Sequence, residues 1–441
     1  MGAMTGRFQC LLWLALALVC ATLQGLPQNA AEAHLPEGFP YSAWLEQKEI
    51  TQIGWNVVVG KPALRSDLRQ EIEIWAMIAR QDARKTEDHD LVLYARVLDG
   101  GRALGPVHMV EPVENRVPPE FQPKGPPPPP GFRIIALVKP GKYRLELALL
   151  DRTNGRYSTK FESVVIEGLK TDALAESFDK FSKFEFVPLR KREDTAAIGL
   201  PPAPDFSFGP GGFSGTLYVR RKNFVGLPAS SSGVTEDLPT FVIRKPGMHL
   251  SIIAMLTPPD GVVGDEGLTQ YFQDSLVNLL SAVTRLRVQD GTTQFTGIDL
   301  LEGKRIFDHQ DVEQVTLDSL NAAIRKDLST ISLSSMTGMA SNGRFITDLF
   351  KEEFDRAEQD GAEHVLVFIG HRTAFRDNAG VPLPANGCRC KVHYLRVFST
   401  GGHDDIEKLL RNYKPLIYEP FNWRDFREHF AKIYERLQLQ N

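Results

Sequence analysis

His249-Leu250-Ser251-Ile252-Ile253-Ala254-Met255-Leu256 is the stretch on which the reading of the fold turns. It is almost continuously apolar, as expected of a central strand covered on both faces; a strand wet on one side would alternate. Beyond it stands Thr257-Pro258-Pro259-Asp260, and then a helical stripe of Leu268, Phe272, Leu276, Leu279, Val283 and Leu286. Gln294 to Leu300 and Lys304 to Phe307 flank Glu302-Gly303 and read as a hairpin. Thr316 caps a helix carrying Leu317, Leu320, Ile324 and Leu328, and a further helix buries Phe345, Leu349, Phe350 and Phe354. His364 to Ile369 and Cys390 to Phe398 are two more apolar strands. Asp404 to Leu410 reads as a short helix, Leu416-Ile417-Tyr418 as a short strand. Asn422 caps a last helix with the stripe Trp423, Phe426, Phe430, Ile433 and Leu437. Alternating strands and helices predict an α/β region, 240–441, with a mainly parallel, Rossmann-like sheet carrying helices on both faces.

Ahead of this region, residues 50–168 hold short strand-like runs bounded by turn residues. In Tyr143-Arg144-Leu145-Glu146-Leu147-Ala148-Leu149 the odd-numbered residues share one face. Pro140-Gly141 leads the chain in and Asn154-Gly155 leads it out. Regular short strands predict an antiparallel β-sandwich. Pro126 to Pro130 form a stiff rod, read as a rigid surface loop in preference to a ligand for an aromatic groove. Residues 169–239 read as linker and packing segments, with a short helix expected within Ala173 to Phe184 and a Pro- and Gly-rich stretch from Leu200 to Gly212.

The N-terminus sets the expected compartment. Arg7 precedes an apolar run from Cys10 to Leu23, too short to span a bilayer comfortably. Small residues follow, and Ala31-Glu32-Ala33 fits a cleavage site, so residues 1–33 read as a secretory signal peptide, with an uncleaved anchor as the alternative. No later stretch is long and apolar enough to span a membrane, so the mature chain is expected to be secreted or periplasmic. The net charge of −4 on 441 residues gives no pull toward nucleic acid or anionic lipid. Outside the leader only Cys388 and Cys390 remain, too few for a disulfide scaffold.

In its order of strands and helices, Thr240 to Leu437 resembles a von Willebrand factor type A domain. A sandwich ahead of such a domain, behind a signal peptide, is similar to secreted bacterial proteins of the VWFA-related, acidobacterial-type group. Tyr143, in Pro-Gly-x-Tyr-x-Leu, is similar to the corner tyrosine of immunoglobulin-like and fibronectin type III domains; an ordinary half-buried tyrosine is the other reading. The resemblance implies a divalent cation held by an Asp-x-Ser-x-Ser loop, a Thr and a later Asp. Here Leu256, Pro258 and Asp260 stand in the first loop, Gly370-His371 replaces the acid, and only Thr337 carries over. Hard oxygen ligands for magnesium are therefore missing, and no cofactor and no metal of the family type is expected.

The function expected is a non-enzymatic protein-binding or structural module whose partner is another protein. Its candidate binding edge comprises Thr257, Asp260, Asp265, His371, Arg372, Phe375, Arg376 and His403, in loops beyond the carboxyl ends of the strands. Two alternatives stay open. One is a metal-dependent adhesion domain with rearranged ligands, where His371 and His403 with Asp260, Asp265 and Glu266 suit zinc. The other is a thiol redox enzyme using Cys388 and Cys390, two residues apart on one strand face; a local disulfide is the plainer reading. Gly338 to Gly343 is not a nucleophile elbow, and no phosphate-binding glycine loop or His-Glu-x-x-His helix is present.

Overall fold

The computed structural model describes residues 41–65, 68–83, 89–112, 131–169, 171–187, 238–259, 266–329, 342–375, 381–385, 387–397 and 403–439. The expected signal peptide, the proline rod, the linker at Leu200 to Gly212, Thr337, Asp260, Asp265 and Arg376 lie outside these residues.

Ten strands lie ahead of residue 190: β1 (Trp55–Val59), β2 (Ala63–Leu64), β3 (Gln70–Ile78), β4 (Leu91–Asp99), β5 (Arg102–Ala103), β6 (His108–Val110), β7 (Gly131–Val138), β8 (Gly141–Asp151), β9 (Tyr157–Ile166) and β10 (Phe184–Val187). They form two five-stranded sheets, one in the order β1-β3-β7-β10 with β2 on β3, the other β5-β4-β8-β9 with β6 on β4. Every pairing within them is antiparallel. Ile72, Ile74 and Ala76 of β3 and Phe132, Ile134 and Ala136 of β7 meet Leu91, Leu93 and Ala95 of β4 and Leu145, Leu147 and Leu149 of β8 in one core.

β8 is buried on its second face too, because Ala148 and Leu150, with Val92 and Tyr94, pack under Trp44 of helix α1 (Tyr41–Leu45). Arg96 lies over the Trp44 ring and ion-pairs with buried Glu146, which accounts for a carboxylate inside this layer. Tyr143 is buried, and its hydroxyl donates to the Lys139 carbonyl at 2.8 Å, tying the strand back to the turn that starts it. Gly155, at φ +72, supplies the left-handed residue that the turn out of β8 needs.

The second half holds β11 (Phe241–Ile243), β12 (His249–Met255), β13 (Leu286–Val288), β14 (Thr292–Asp299), β15 (Lys304–Asp311), β16 (His364–Gly370), β17 (Cys390–Arg396) and β18 (Leu416–Tyr418). β11 and β13 form a small parallel pair; the others form a six-stranded sheet in the order β15-β14-β12-β16-β17-β18. β12 pairs parallel with β14 and β16, and β17 pairs parallel with β16 and β18, but β14–β15 is antiparallel, so the sheet is mixed. The longer helices are α3 (Glu266–Val283), α4 (Leu317–Ser329), α5 (Gly343–Asp360) and α7 (Trp423–Leu439), with short α2 (Arg80–Ala83) and α6 (Asp405–Leu409). Gly361, at φ +63, ends α5 in the left-handed conformation that a glycine takes at least cost.

The fold class expected from the sequence is corrected here. Among the described residues strand outweighs helix, in antiparallel and mixed sheets, and not in a mainly parallel von Willebrand factor A- or Rossmann-like sheet with helices on both faces. The continuous apolar runs of β12, β16 and β17 do pair parallel, but they make up only part of one of the sheets. Antiparallel pairing throughout the first two sheets, and the turn at Glu302-Gly303 that sends β15 back along β14, set the balance. A second correction is local: the expected helix within Ala173 to Phe184 is a single 3-10 turn, Ala175–Phe178, and Phe184 already opens β10.

Leu64, Leu68, Leu174, Phe178 and Phe181 join the core of the second half, against Phe241, Trp423, Phe426 and Phe430. Arg427 of α7 fastens this junction. It donates to the Leu68 carbonyl, pairs with Asp172 at 2.6 Å and lies over the Phe178 ring.

Leu147 is fully buried between the two antiparallel sheets. Leu147→Ala is expected to cost about 2–5 kcal/mol through the cavity it leaves. Urea denaturation of both proteins measures it, and a loss under about half a kcal/mol would show that the site collapses around the gap.

Candidate functional site

The carboxyl ends of β12, β14, β16, β17 and β18 bring together residues that are far apart in sequence. Thr257, just past β12, and Asp299, at the end of β14, close the first part of this edge. The Thr257 hydroxyl accepts from the Leu300 amide at 2.7 Å and lies 3.3 Å from Asp299 Oδ1. That carboxylate oxygen also accepts from the amides of Leu301 and Glu302. Local backbone donors thus engage that oxygen, as in an Asx turn.

His371 follows β16 and is buried. Its Nε2 lies 3.2 Å from the Thr257 carbonyl and its Nδ1 3.1 Å from the Arg372 carbonyl, so both ring nitrogens face backbone oxygen. The Tyr394 hydroxyl donates to the His371 carbonyl at 3.1 Å. Such a histidine is a strut of the loop.

The charged centre of the edge is Arg396, at the end of β17. Its Nη1 donates to Glu419 at 2.6 Å and its Nη2 to Glu407 at 2.6 Å, with Asp404 Oδ2 3.0 Å from Nη2. Arg372 joins the same Glu419 oxygen at 2.8 Å. The other Asp404 oxygen accepts from the amides of Ile406 and Glu407 and so caps α6. Burial pushes the Asp404 carboxyl up, and Arg396 offsets part of that. For Glu419 burial also acts upward, but the donors Arg372 and Arg396 outweigh it and hold the carboxyl below its usual range. Burial raises the Tyr394 hydroxyl well above its ordinary value.

The other expected edge residues take varied places. Phe375 is half-buried against the core around Phe350 and Phe368, and its amide donates to Asp405 at 2.7 Å, so it anchors its loop. His403 is exposed beside Asp405 and Lys408. The exposed aromatic at this edge is Phe421, past β18, which is 56% exposed. Cys388 and Cys390 are joined in a disulfide at the start of β17. Among the described residues, no three His, Cys, Asp or Glu side chains are grouped so as to hold a metal ion.

A second polar cluster lies at the opposite, amino end of the sheet. Ser251 of β12 and His364 of β16 are buried, with Ser251 Oγ 2.9 Å from His364 Nε2. Glu353 of α5 is buried beside them, its Oε2 3.9 Å from His364 Nε2 and its Oε1 on His309 Nε2. His309 sits at the irregular part of β15 with φ +46, an uncommon conformation for a residue with a side chain. The hydrogen bond that His309 donates to Glu353 raises the His309 pKa, burial opposes it, and the Glu353 charge adds to the rise. Burial alone would raise Glu353, but its hydrogen bond and charge interactions with His309 and Arg356 win and lower it. Burial lowers His364. His249, Thr292, Gln294 and Arg356 complete the walls of a depression of about 390 Å³. The sequence reading missed this cluster. Its signal was a serine and a histidine set into otherwise apolar strand runs.

No family model and no curated protein matches this chain. Among solved structures, a β-glucuronidase from Bacteroides uniformis aligns at 11% identity over 73% of this chain and 36% of that one, with a TM-score of 0.16. The chain therefore spans about a third of the length of that enzyme, and a likeness this slight carries no argument about fold or activity.

Two predictions follow from these geometries. Arg396 and Asp404 are both nearly inaccessible, so Arg396→Met leaves a buried carboxylate unpaired. It should destabilise the protein by about 3–5 kcal/mol, and Asp404→Asn added to it should recover part of that loss. Urea melts of the two variants measure both effects, and a double variant no more stable than the single one would refute the coupling.

The His309–Glu353 pair sets a pH window. A raised histidine contributes fully below its ordinary 6.5 and less as pH climbs through its folded value; a lowered glutamate contributes fully above its ordinary 4.5 and less as pH falls. The pair is therefore strongest between pH 4.5 and 6.5. Asp308, Arg305 and Arg356 also face it. His309→Gln should be destabilised most in that window and approach wild type at pH 9, as read by melting temperature across pH. A deficit that does not change with pH would show that the imidazolium charge plays no part.

Proposed function

We propose that this protein is a secreted or periplasmic, non-enzymatic module that binds another protein through the carboxyl edge of its six-stranded sheet. Export rests on the apolar run from Cys10 to Leu23 behind Arg7. Among the described residues no helix is long and apolar enough to cross a membrane.

The observation that carries the reading is Phe421, exposed next to the ion-paired frame of Glu419, Arg372 and Arg396. Aromatic and arginine side chains are enriched at the centres of protein interfaces. The frame holds the loop in place before a partner arrives, so less ordering cost falls on binding. Asp299, His371 and Glu419 at this edge are engaged with backbone or arginine, an arrangement suited to a rigid recognition surface.

A photo-crosslinking residue placed at Phe421 tests this in the native secretion compartment. The expected result is a discrete adduct with another protein, absent when the probe replaces Val58 on the first sheet of the sandwich. Equal labelling from both positions, or none from Phe421, would overturn the assignment of the edge.

A further inference from the structure

Cys388 and Cys390 form a disulfide around the single residue Arg389, at the amino end of the six-stranded sheet and away from the proposed partner edge. In the chain-entropy account a cross-link stabilises a fold by closing a loop in the unfolded chain, and the gain grows with the loop. A bond between residues two apart closes the shortest of loops and adds little in this way. Nor does the segment need the bond to stay in place. Ahead of it, the Leu383 amide donates to the Leu409 carbonyl at 3.0 Å, Asn412 Nδ2 donates to the Leu383 carbonyl at 2.7 Å, and the Tyr413 hydroxyl donates to the Pro384 carbonyl at 3.0 Å. The Gly387 amide donates to Glu358 Oε1 at 2.9 Å. Behind it, β17 is paired with β16 from Cys390 to Arg396. Other contacts therefore fix the frame in which the two sulfurs sit.

Both cysteines are half-exposed, and Gly387 and Arg389 beside them are exposed, so a dissolved thiolate reaches the bond without unfolding the strand. Arg389 puts a positive charge one residue from each sulfur. Such a charge favours both the incoming thiolate and the one that leaves. We propose that Cys388–Cys390 is a thiol-exchange site, a bond that opens and closes in the folded protein by reaction with an external dithiol. Cys388 lies ahead of the strand, whereas Cys390 is its first residue. The external thiolate attacks Cys388 Sγ and forms a mixed disulfide. The bond to Cys390 Sγ breaks, and that sulfur leaves with the electron pair and takes a proton from water. The second thiol of the reductant, deprotonated, then attacks its own sulfur in the mixed disulfide and releases Cys388 as a thiol. The external dithiol is oxidised to a disulfide by two electrons, and the protein pair is reduced by the same two. One exchange occurs per chain, a reversible modification that stands whether or not the partner edge is correctly assigned.

Dithiothreitol added to the native full-length protein tests it, with iodoacetamide as quench and peptide mapping as readout, which keeps Cys10 and Cys20 out of the count. Both Cys388 and Cys390 should become alkylated while the circular dichroism spectrum and melting temperature remain those of the oxidised protein. A brief pulse of reduced glutathione, quenched in the same way, should leave glutathione on Cys388 and the alkyl group on Cys390. The double variant Cys388→Ser, Cys390→Ser should melt with the oxidised wild type. Alkylation that begins only once urea has unfolded the protein would overturn the site. So would a double variant that melts well below wild type or does not fold, since either result would make the bond a structural staple. Glutathione found on Cys390 would overturn the assignment of the attacked sulfur.

Discussion

The second half of the chain depends on one constraint: β12 must be dry on both faces. Ile252 and Ala254 point into the core that gathers Phe272, Leu276, Phe426 and Phe430, while Ile253 and Met255 point into the core of Leu349, Phe350, Phe354 and Tyr394. Neither core closes without this strand between them. Burying a Leu or Phe side chain is worth about 1.5–3 kcal/mol, so many such side chains on each side fix the strand in place against the entropy of ordering the chain. The same demand reaches the sandwich, because Leu68, Leu174 and Phe178 complete the first of these cores. Arg427 satisfies the Leu68 carbonyl and Asp172 at this apolar junction.

A dry strand throws its chemistry to its ends, and the two ends of this sheet solve the problem differently. At the carboxyl end an arginine supplied by the chain neutralises the acids: Arg396 gathers Asp404, Glu407 and Glu419 within 3.0 Å. A guanidinium, with its fork of donors, does there what a bound cation would do in a set of free oxygen ligands. Among the described residues of that edge, side chain and backbone hold the loops, as the double engagement of His371 and the anchoring of Phe375 by Asp405 show.

How much of this could be read from the sequence follows from which forces are local. The positions of β12, β16 and β17, the stripe of α7 and the strand around Leu145 and Leu147 are written in hydrophobic period, and the structure places elements there. Strand direction is not written in that period. The antiparallel pairing of the first half and the Glu302-Gly303 hairpin were expected, but the reading gave too little weight to that hairpin, which makes the last sheet mixed. Thr257 and His371 follow the ends of β12 and β16, but their engagement with Asp299 and with backbone carbonyls depends on loop geometry. Arg396, Asp404 and Glu419 could not be found as a set, because ion pairs between distant residues leave no spacing in the chain. Phe421, between a proline and a capping asparagine, gave no sign of its exposure either.

The amino-end cluster shows what a polar residue inside an apolar run costs and why it persists. Ser251 and His364 interrupt two central strands, and each must find a partner because water is excluded there. They find each other, and Glu353 reaches them from α5. That acid is tolerable because His309 meets it from the edge strand, in a left-handed backbone conformation, and Arg356 lies beside it on α5. Three elements, β12, β15 and β16, are thereby committed to one carboxylate, while a lone pair on His364 stays unmatched. An apolar sheet of the same shape could have used leucine or valine at these positions with less to satisfy. The left-handed backbone at His309 is part of what holding this polar set in place costs.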